Sequence, residues 1–403
     1  MAKVKEKKAL EKKNWTQSFT LVGKACITDY TFKIDEYSEK SDWLYNQMLL
    51  DVDCGEKYGK VRCELMGGHH RANDEDVAIY VHGKDENGRD DFNNQYRIAF
   101  EDRFEEEYIK DVGDLCFSYA GIEKKPDDDE VVVQKFLHQY DFIKYLSMYL
   151  KDGMEVRVTG QLRYTMYNGN VQVRKEISRI YLKKEKDKNE ASFKQTILIN
   201  KDSLDKPDKA KCIIPVTGYI LEKFKEYNGN DLTEGGSVRG GKFVPLRKVF
   251  EYEYNPEMDQ TKLQNALKLM FKVKKGYNQV TYEGSFVEGG AIIQATYDDL
   301  PDELKEMVDY EIYSLDEALA QCTENTGKER RMIIRRPIVK MVGEEGSKVA
   351  QIQKIEGIYS DEDLMLDYLI AHDDEDEEDE AVEVEETETD EVSDMSWMDN
   401  LDI

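Results

Sequence analysis

The stretch Gly153–Leu182, GMEVRVTGQLRYTMYNGNVQVRKEISRIYL, leaves the chain little choice of structure. Met154, Val156 and Val158 alternate with Glu155, Arg157 and Thr159, the period of a strand with one buried face. Gly160 interrupts the run as a bulge or sharp bend does. Alternation then resumes, with Leu162, Tyr164 and Met166 in the buried phase and Arg163, Thr165 and Tyr167 opposite. Asn168-Gly169 is a two-residue hairpin signal, because both turn positions need φ > 0. Val171 and Val173 return antiparallel with Gln172 and Arg174 outward, and Ile177, Ile180 and Leu182 complete the pattern. Upstream, Leu137, Phe142, Ile143, Leu146 and Leu150 recur at helical spacing.

A helix that feeds a glycine-bent strand and then a hairpin strand predicts the closing half of an OB-fold barrel. The same residues resemble the final helix and hairpin of single-stranded DNA-binding proteins of the bacterial and bacteriophage type. Lys151, Gly153, Val156, Val158, Gly160, Leu162, Gly169, Glu176 and Ile177 occupy that family's positions, and Phe19–Ala25 resembles its first strand. About 110 residues separate the two matching ends. The resemblance implies single-stranded DNA as ligand, a role in replication, recombination or repair, and the cytoplasm of a bacterial host.

Charge cuts across that expectation. The 403 residues carry a net charge of −28, and Asp373–Ile403 alone holds 17 acids and no Lys or Arg. The remainder keeps 68 acids against 57 bases, a net −11, so nucleic-acid binding has to rest on local basic patches and stacking. Lys151–Lys188, with ten bases and five acids, is such a patch, and it supplies Arg157, Arg163, Arg174 and Arg179. Six scattered cysteines without a CxxC pair fit a reducing cytosol. No apolar run of membrane-spanning length occurs.

Along the chain, residues 1–14 form a basic arm, read as a frayed, solvated helix or as an electrostatic arm for phosphates or for another protomer's acidic tail. Residues 15–182 form the first OB-like domain, with strands at Trp15–Ile27 and Trp43–Cys54, a third around Val61–Leu65, and an inserted hairpin at Val77–Val81 and Tyr96–Phe100. Within the insert, Arg97 between Tyr96 and Phe100 places a cation beside aromatic rings, as base stacking requires. Residues 183–192 read as a charged linker. Residues 193–372 repeat the strand grammar and predict a second OB-like barrel, including a hairpin around Val287–Gly290 and short helices at Leu300–Met307 and Leu315–Gln321. Met258–Gly276 fits helix and strand equally. Near the domain's end, Arg331 and Arg335 share a phase that could carry guanidinium groups along a groove.

Gly236–Lys242 satisfies GxxxxGK, but Phe243 replaces the metal-ligating hydroxyl and FVPLRKVF reads as a strand, which sets nucleotide hydrolysis aside. Cys54, Cys63, His69 and His70 offer zinc-capable atoms without zinc spacing, so no metal or other cofactor is expected. No catalytic constellation emerges, and the chain reads as a binding protein.

The acidic run Asp373–Asp394 lacks the apolar surface to fold, and the expected architecture is therefore mainly β, two OB-like barrels in tandem plus a disordered acidic tail. Trp397, Met398, Leu401 and Ile403 tip that tail. This resembles the acidic, apolar-tipped terminus through which the family recruits replication and repair proteins. An acidic scaffold or DNA mimic that engages basic proteins is the alternative, and self-association stays open.

Overall fold

The computed structural model describes residues 7–70, 77–125, 130–167, 170–233, 240–289, 305, 308, 329–343 and 347–365. The Asn168-Gly169 turn, the 234–239 loop, Ala291–Tyr297, His372 and the whole tail 373–403 lie outside the described residues, as do almost all of the two short helices expected between 300 and 321.

The first barrel is built from β1 (Gln17–Cys26), β2 (Phe32–Ser38), β3 (Trp43–Asp53) and β4 (Lys60–His70), followed by an insert with β5 (Ala78–Lys84), β6 (Asp90–Ala99) and α1 (Glu106–Ile109). Then come β7 (Ser118–Lys124), β8 (Val131–Phe136), α2 (Gln139–Tyr149), β9 (Glu155–Tyr167) and β10 (Asn170–Leu182). The pairings β1–β3, β3–β4, β10–β9 and β9–β1 are antiparallel, and β4–β10 is parallel. That closes the ring of a five-stranded OB barrel, with α2 between its third and fourth strands. Met48, Leu50, Val52, Val61, Cys63, Val156 and Val158 fill it, each at most 1 % exposed.

The second barrel repeats the circuit. Its strands are β11 (Glu190–Ile199), β12 (Ile213–Phe224), a small ribbon of β13 (Glu226–Tyr227) and β14 (Asn230–Asp231), and β15 (Lys242–Glu253). They continue through α3 (Gln260–Phe271), β16 (Tyr277–Gly289) and β17 (Glu329–Pro337). The β11–β12, β12–β15, β17–β16 and β16–β11 pairs are antiparallel, and β15–β17 is parallel. A hairpin of β18 (Val339–Val342) and β19 (Val349–Ile352), then β20 (Lys354–Tyr359) and α4 (Asp361–Leu364), end the described chain. The ambiguous Met258–Gly276 resolves as helix because Asp259 caps it, accepting from the Lys262 N–H at 3.0 Å, while Leu263, Leu267 and Phe271 face the core. Val287–Gly289, expected in a turn, continue β16, and Gly290 lies outside the described residues. The linker is shorter than expected, since Glu190–Ser192 already belong to β11.

The barrels meet through their first strands, β1 antiparallel to β11, with Phe19 opposite Phe193. Phe19 pairs with Gly160 on β9, and Phe193 with Gly284 on β16. A Cβ at either glycine would overlap that phenylalanine ring and a carbonyl of the closing strand, Glu176 or Ile333. The two halves are thus related by a pseudo-dyad through the Phe19/Phe193 pair. Beyond each glycine, the closing strands reach the opposite barrel. Tyr164 donates its hydroxyl to Gln195 Oε1 (2.9 Å) and its N–H to Glu222 Oε1 (3.3 Å), while Glu288 accepts from the Arg62 N–H (3.2 Å) and pairs with Lys175.

From Lys8 to Lys12 the N-terminal segment is docked on the second barrel. Leu10 is buried with Leu198, Leu221, Tyr277 and Tyr359. The Lys8 N–H donates to Asp363 (2.7 Å), the Glu11 N–H to the Tyr359 hydroxyl (3.0 Å), and Lys12 pairs with Glu222 at 2.8 Å. Residues 7–12 form a strap over the second barrel, which corrects the expectation of a solvated or phosphate-seeking arm for that part of it.

Candidate nucleic-acid interface

The outward face of the first barrel runs across β3, β4, β10 and β9 in that order. Alternation turns Asn46, Met48, Leu50 and Val52 inward, which leaves Trp43, Tyr45 and Gln47 on the other side of β3. Trp43 pairs with His70 and Tyr45 with Gly68, and the Trp43 and His70 rings meet edge to face at 4.9 Å. Next along β4 comes Met66, opposite Gln47 and exposed. Arg174 of β10 and Arg163 of β9 form a cross-strand pair beside it. Trp43, Glu64, Met66, Arg163, Arg174 and Glu176 line a groove of about 290 Å³ there. Tyr167, 63 % exposed, stands at the hairpin end, whereas Tyr164, 3 % exposed, is core, as the Gly160 register predicts.

Aromatic rings, a thioether and two guanidinium groups therefore share one face. The electrostatics are less open than the sequence implied. Arg174 is held by Glu64, and Arg163 by Glu176 at 3.2 Å. These exposed pairs are weak, about 0–1 kcal/mol.

The structure does not gather the other expected residues here. Tyr96 is half-buried in the insert's own apolar cluster, and burial raises its phenol above the usual range. Arg97 is exposed opposite Tyr80. The cation beside Phe100 is Arg103, 3.6 Å from the ring centroid and paired with Asp141 at 2.6 Å, and not Arg97. Arg157 lines a separate hollow with Lys194 and Glu283 on the joint between barrels. Arg179 lies 5.3 Å over the Tyr119 ring. On the second barrel, Arg331 pairs with Glu251 and Glu253 (3.0 Å), and Arg335 with Glu253 (2.9 Å), so the run of bare guanidinium groups expected there is instead a carboxylate-braced strand. Trp397, Met398, Leu401 and Ile403 fall outside the described residues.

Trp43, Tyr45 and Met66 went unread in the sequence, although the alternation that sends Met48 and Leu50 inward sends Trp43 and Tyr45 outward. Cys54 and Cys63 are core residues, and burial pushes the Cys54 thiol up to about 12 and the Cys63 thiol higher still. Cys116, His82 and Asp90 sit together in the insert, with His82 Nε2 2.7 Å from Asp90. Cys116 Sγ lies 3.3 Å from Nδ1 and 3.8 Å from Nε2, so the sulfur is over the ring rather than in its plane. Burial also raises that thiol, which is the wrong direction for a nucleophile. Among the described residues, no three His, Cys, Asp or Glu side chains converge as metal ligands, and no helix is long and apolar enough to cross a membrane.

No protein-family profile matches the chain, and no curated protein matches it. Among solved structures, it is similar to a deletion mutant of the single-stranded DNA binding protein from Thermus aquaticus, at 8 % identity and a TM-score of 0.31, covering 83 % of this chain and 98 % of that one. The wild-type protein of the same organism gives 9 % identity and a TM-score of 0.30, covering 83 % and 97 %. At that level of likeness, function has to be read from the residues of the groove.

Proposed function

We propose that the chain binds single-stranded DNA across the outward face of its first barrel. The observation that supports this is the groove in which Trp43 and Met66 adjoin Arg163 and Arg174, with Tyr45 on the same face, the strand 2–3 face that OB barrels use for oligonucleotides. Bases stack on the rings, and phosphates take the arginines from Glu64 and Glu176. The role is binding and protection in replication or recombination, without catalysis. The acidic tail with Trp397, Met398, Leu401 and Ile403 at its tip is read as the segment that recruits partner proteins.

Titration of labelled oligonucleotides at about 50 and 200 mM salt tests the reading. Tight binding that weakens steeply with salt supports it. The alternative, an acidic scaffold for basic proteins, is favoured by the carboxylate on each groove arginine and by the net charge of −28. Indifference to oligonucleotides, with capture of a basic protein such as a histone, would establish that alternative. Changing the four apolar tip residues to Ser should leave DNA affinity near normal and abolish pull-down of replication proteins; undiminished pull-down removes the recruitment role.

A further inference from the structure

A second cleft, about 220 Å³, lies where the first barrel's hairpin meets the second barrel. Lys175, Lys248, Glu288, Gln172, Arg330 and Arg331 line it. Its charges are unbalanced. Lys175 is taken by Glu288, and Arg331 by Glu251 and Glu253. Lys248 has no ion-pair or hydrogen-bond partner among the described residues, yet its alternation phase is that of Val244, Leu246 and Phe250, which face the core. Burial and the neighbouring Lys175 ammonium both depress its basicity.

The pseudo-dyad sharpens the anomaly. Gly160 pairs with Ile177 and Gly284 with Ile334, which makes Glu176 and Ile333 equivalent. Across the parallel pairs, Glu176 meets Glu64 and Ile333 meets Glu251. Counting back three residues places Lys248 at the position of Val61, a core residue of the first barrel. A half-buried cation with no counter-ion, set where its twin is a valine, is complementary to a mobile anion. The ring of Phe286 in the floor is already covered by Lys175, 4.7 Å from its centroid, so the cleft suits a phosphate rather than a base.

Location says which phosphate. Residues 170–175 of β10 pair with β9 alone among the described residues, which leaves that side of the hairpin as an edge. Arg174 points to the groove and Lys175, the next residue, to the cleft. We infer that a backbone phosphate of bound DNA sits on Lys248 as the strand crosses this edge from the first barrel to the second. The inference rests on the DNA-binding reading above and adds to it a path between the barrels.

The test compares the full chain with its Lys248→Met variant on oligonucleotides of about 8 and 35 nucleotides, chosen to fill one barrel or to span both. Lys248→Gln serves if the first variant does not fold. Expected are an affinity about 5–10-fold lower for the long strand only, and a log–log salt slope shallower by about 0.7, one phosphate's share. Equal affinity and slope for both proteins overturn the crossing site, as does equal weakening at both lengths. If the unaltered protein binds neither length, the DNA-binding reading falls and takes this one with it. If inorganic phosphate at matched ionic strength raises the melting temperature of the unaltered protein alone, while DNA binding is identical in the two, the cleft takes a free anion and the crossing is overturned.

Discussion

The two barrels share one circuit of strands, one glycine–phenylalanine contact and one ion pair, and differ in almost everything that faces solvent. The shared ion pair spans the parallel seam, Arg174 with Glu64 in the first barrel and Arg331 with Glu251 in the second, at equivalent registers. On the outward face, the first barrel sets Trp43, Tyr45 and Met66, whereas the second shows Pro215, Val249 and Glu251, with Glu253 at the register of Met66. The second barrel's outward Tyr219 packs against Tyr277, 5.6 Å away, beside the N-terminal strap. The first barrel also carries its insert between the third strand and the helix, a connection that in the second spans only Tyr254–Asp259. A duplicated frame thus fixes packing in both halves, while the outward faces diverge and the second barrel takes the strap.

The strongest test of the shared frame is Gly160→Ala against Gly284→Ala. Each added methyl meets a phenylalanine and a carbonyl, so each should cost on the order of 3–5 kcal/mol in chemical denaturation. A large loss at one site and none at the other would break the pseudo-dyad. Acid should then separate the barrels. His138 caps α2 by accepting from the Tyr140 N–H at 3.2 Å, and burial lowers its imidazole from 6.5 to about 4. The unfolded chain takes the proton first, so the stabilisation is complete above about pH 6.5 and is lost as pH falls toward 4, on the order of 3 kcal/mol in all. Hydrogen-exchange protection of α2 should fall across that window relative to α3, which Asp259 caps; parallel behaviour of the two helices would remove His138 as the cause.

On the binding side, Trp43→Ala should lose about 1–3 kcal/mol of affinity for single-stranded DNA, while Val249→Ala on the second barrel should lose none. Equal losses would mean that both faces bind. The smallest effect concerns the carboxylates over the arginines. Glu64→Gln frees Arg174 and should tighten DNA binding by at most about 1 kcal/mol, whereas Glu251→Gln leaves Arg331 on Glu253 and should change nothing. Weaker binding by Glu64→Gln would show that the pair positions the guanidinium rather than masking it.

Local patterning made the hairpin legible, down to the opposite fates of Tyr164 and Tyr167, because alternation and the Gly160 bend are short-range signals. It also brought out the second barrel, through repeated strand runs. Partners distant in sequence stayed hidden. Nothing in a basic stretch announces that Arg174 will meet Glu64, 110 residues earlier, or that Leu10 will seal the second barrel. Attention to the apolar phase alone concealed Trp43 and Tyr45, and β2, β7 and β8 are too weakly alternating to be read without their neighbours.

The strap has a consequence in time. Lys8 meets Asp363 and Glu11 meets Tyr359 across 355 and 348 positions, so the strap waits for residues synthesised long after it. At roughly 5–20 residues per second, that wait is about 20–70 s, during which Leu198 and Leu221 have no cover from Leu10. Residues 7–12 close only over a second barrel that has already received β20 and α4, and their docking therefore marks the moment at which the described fold is complete.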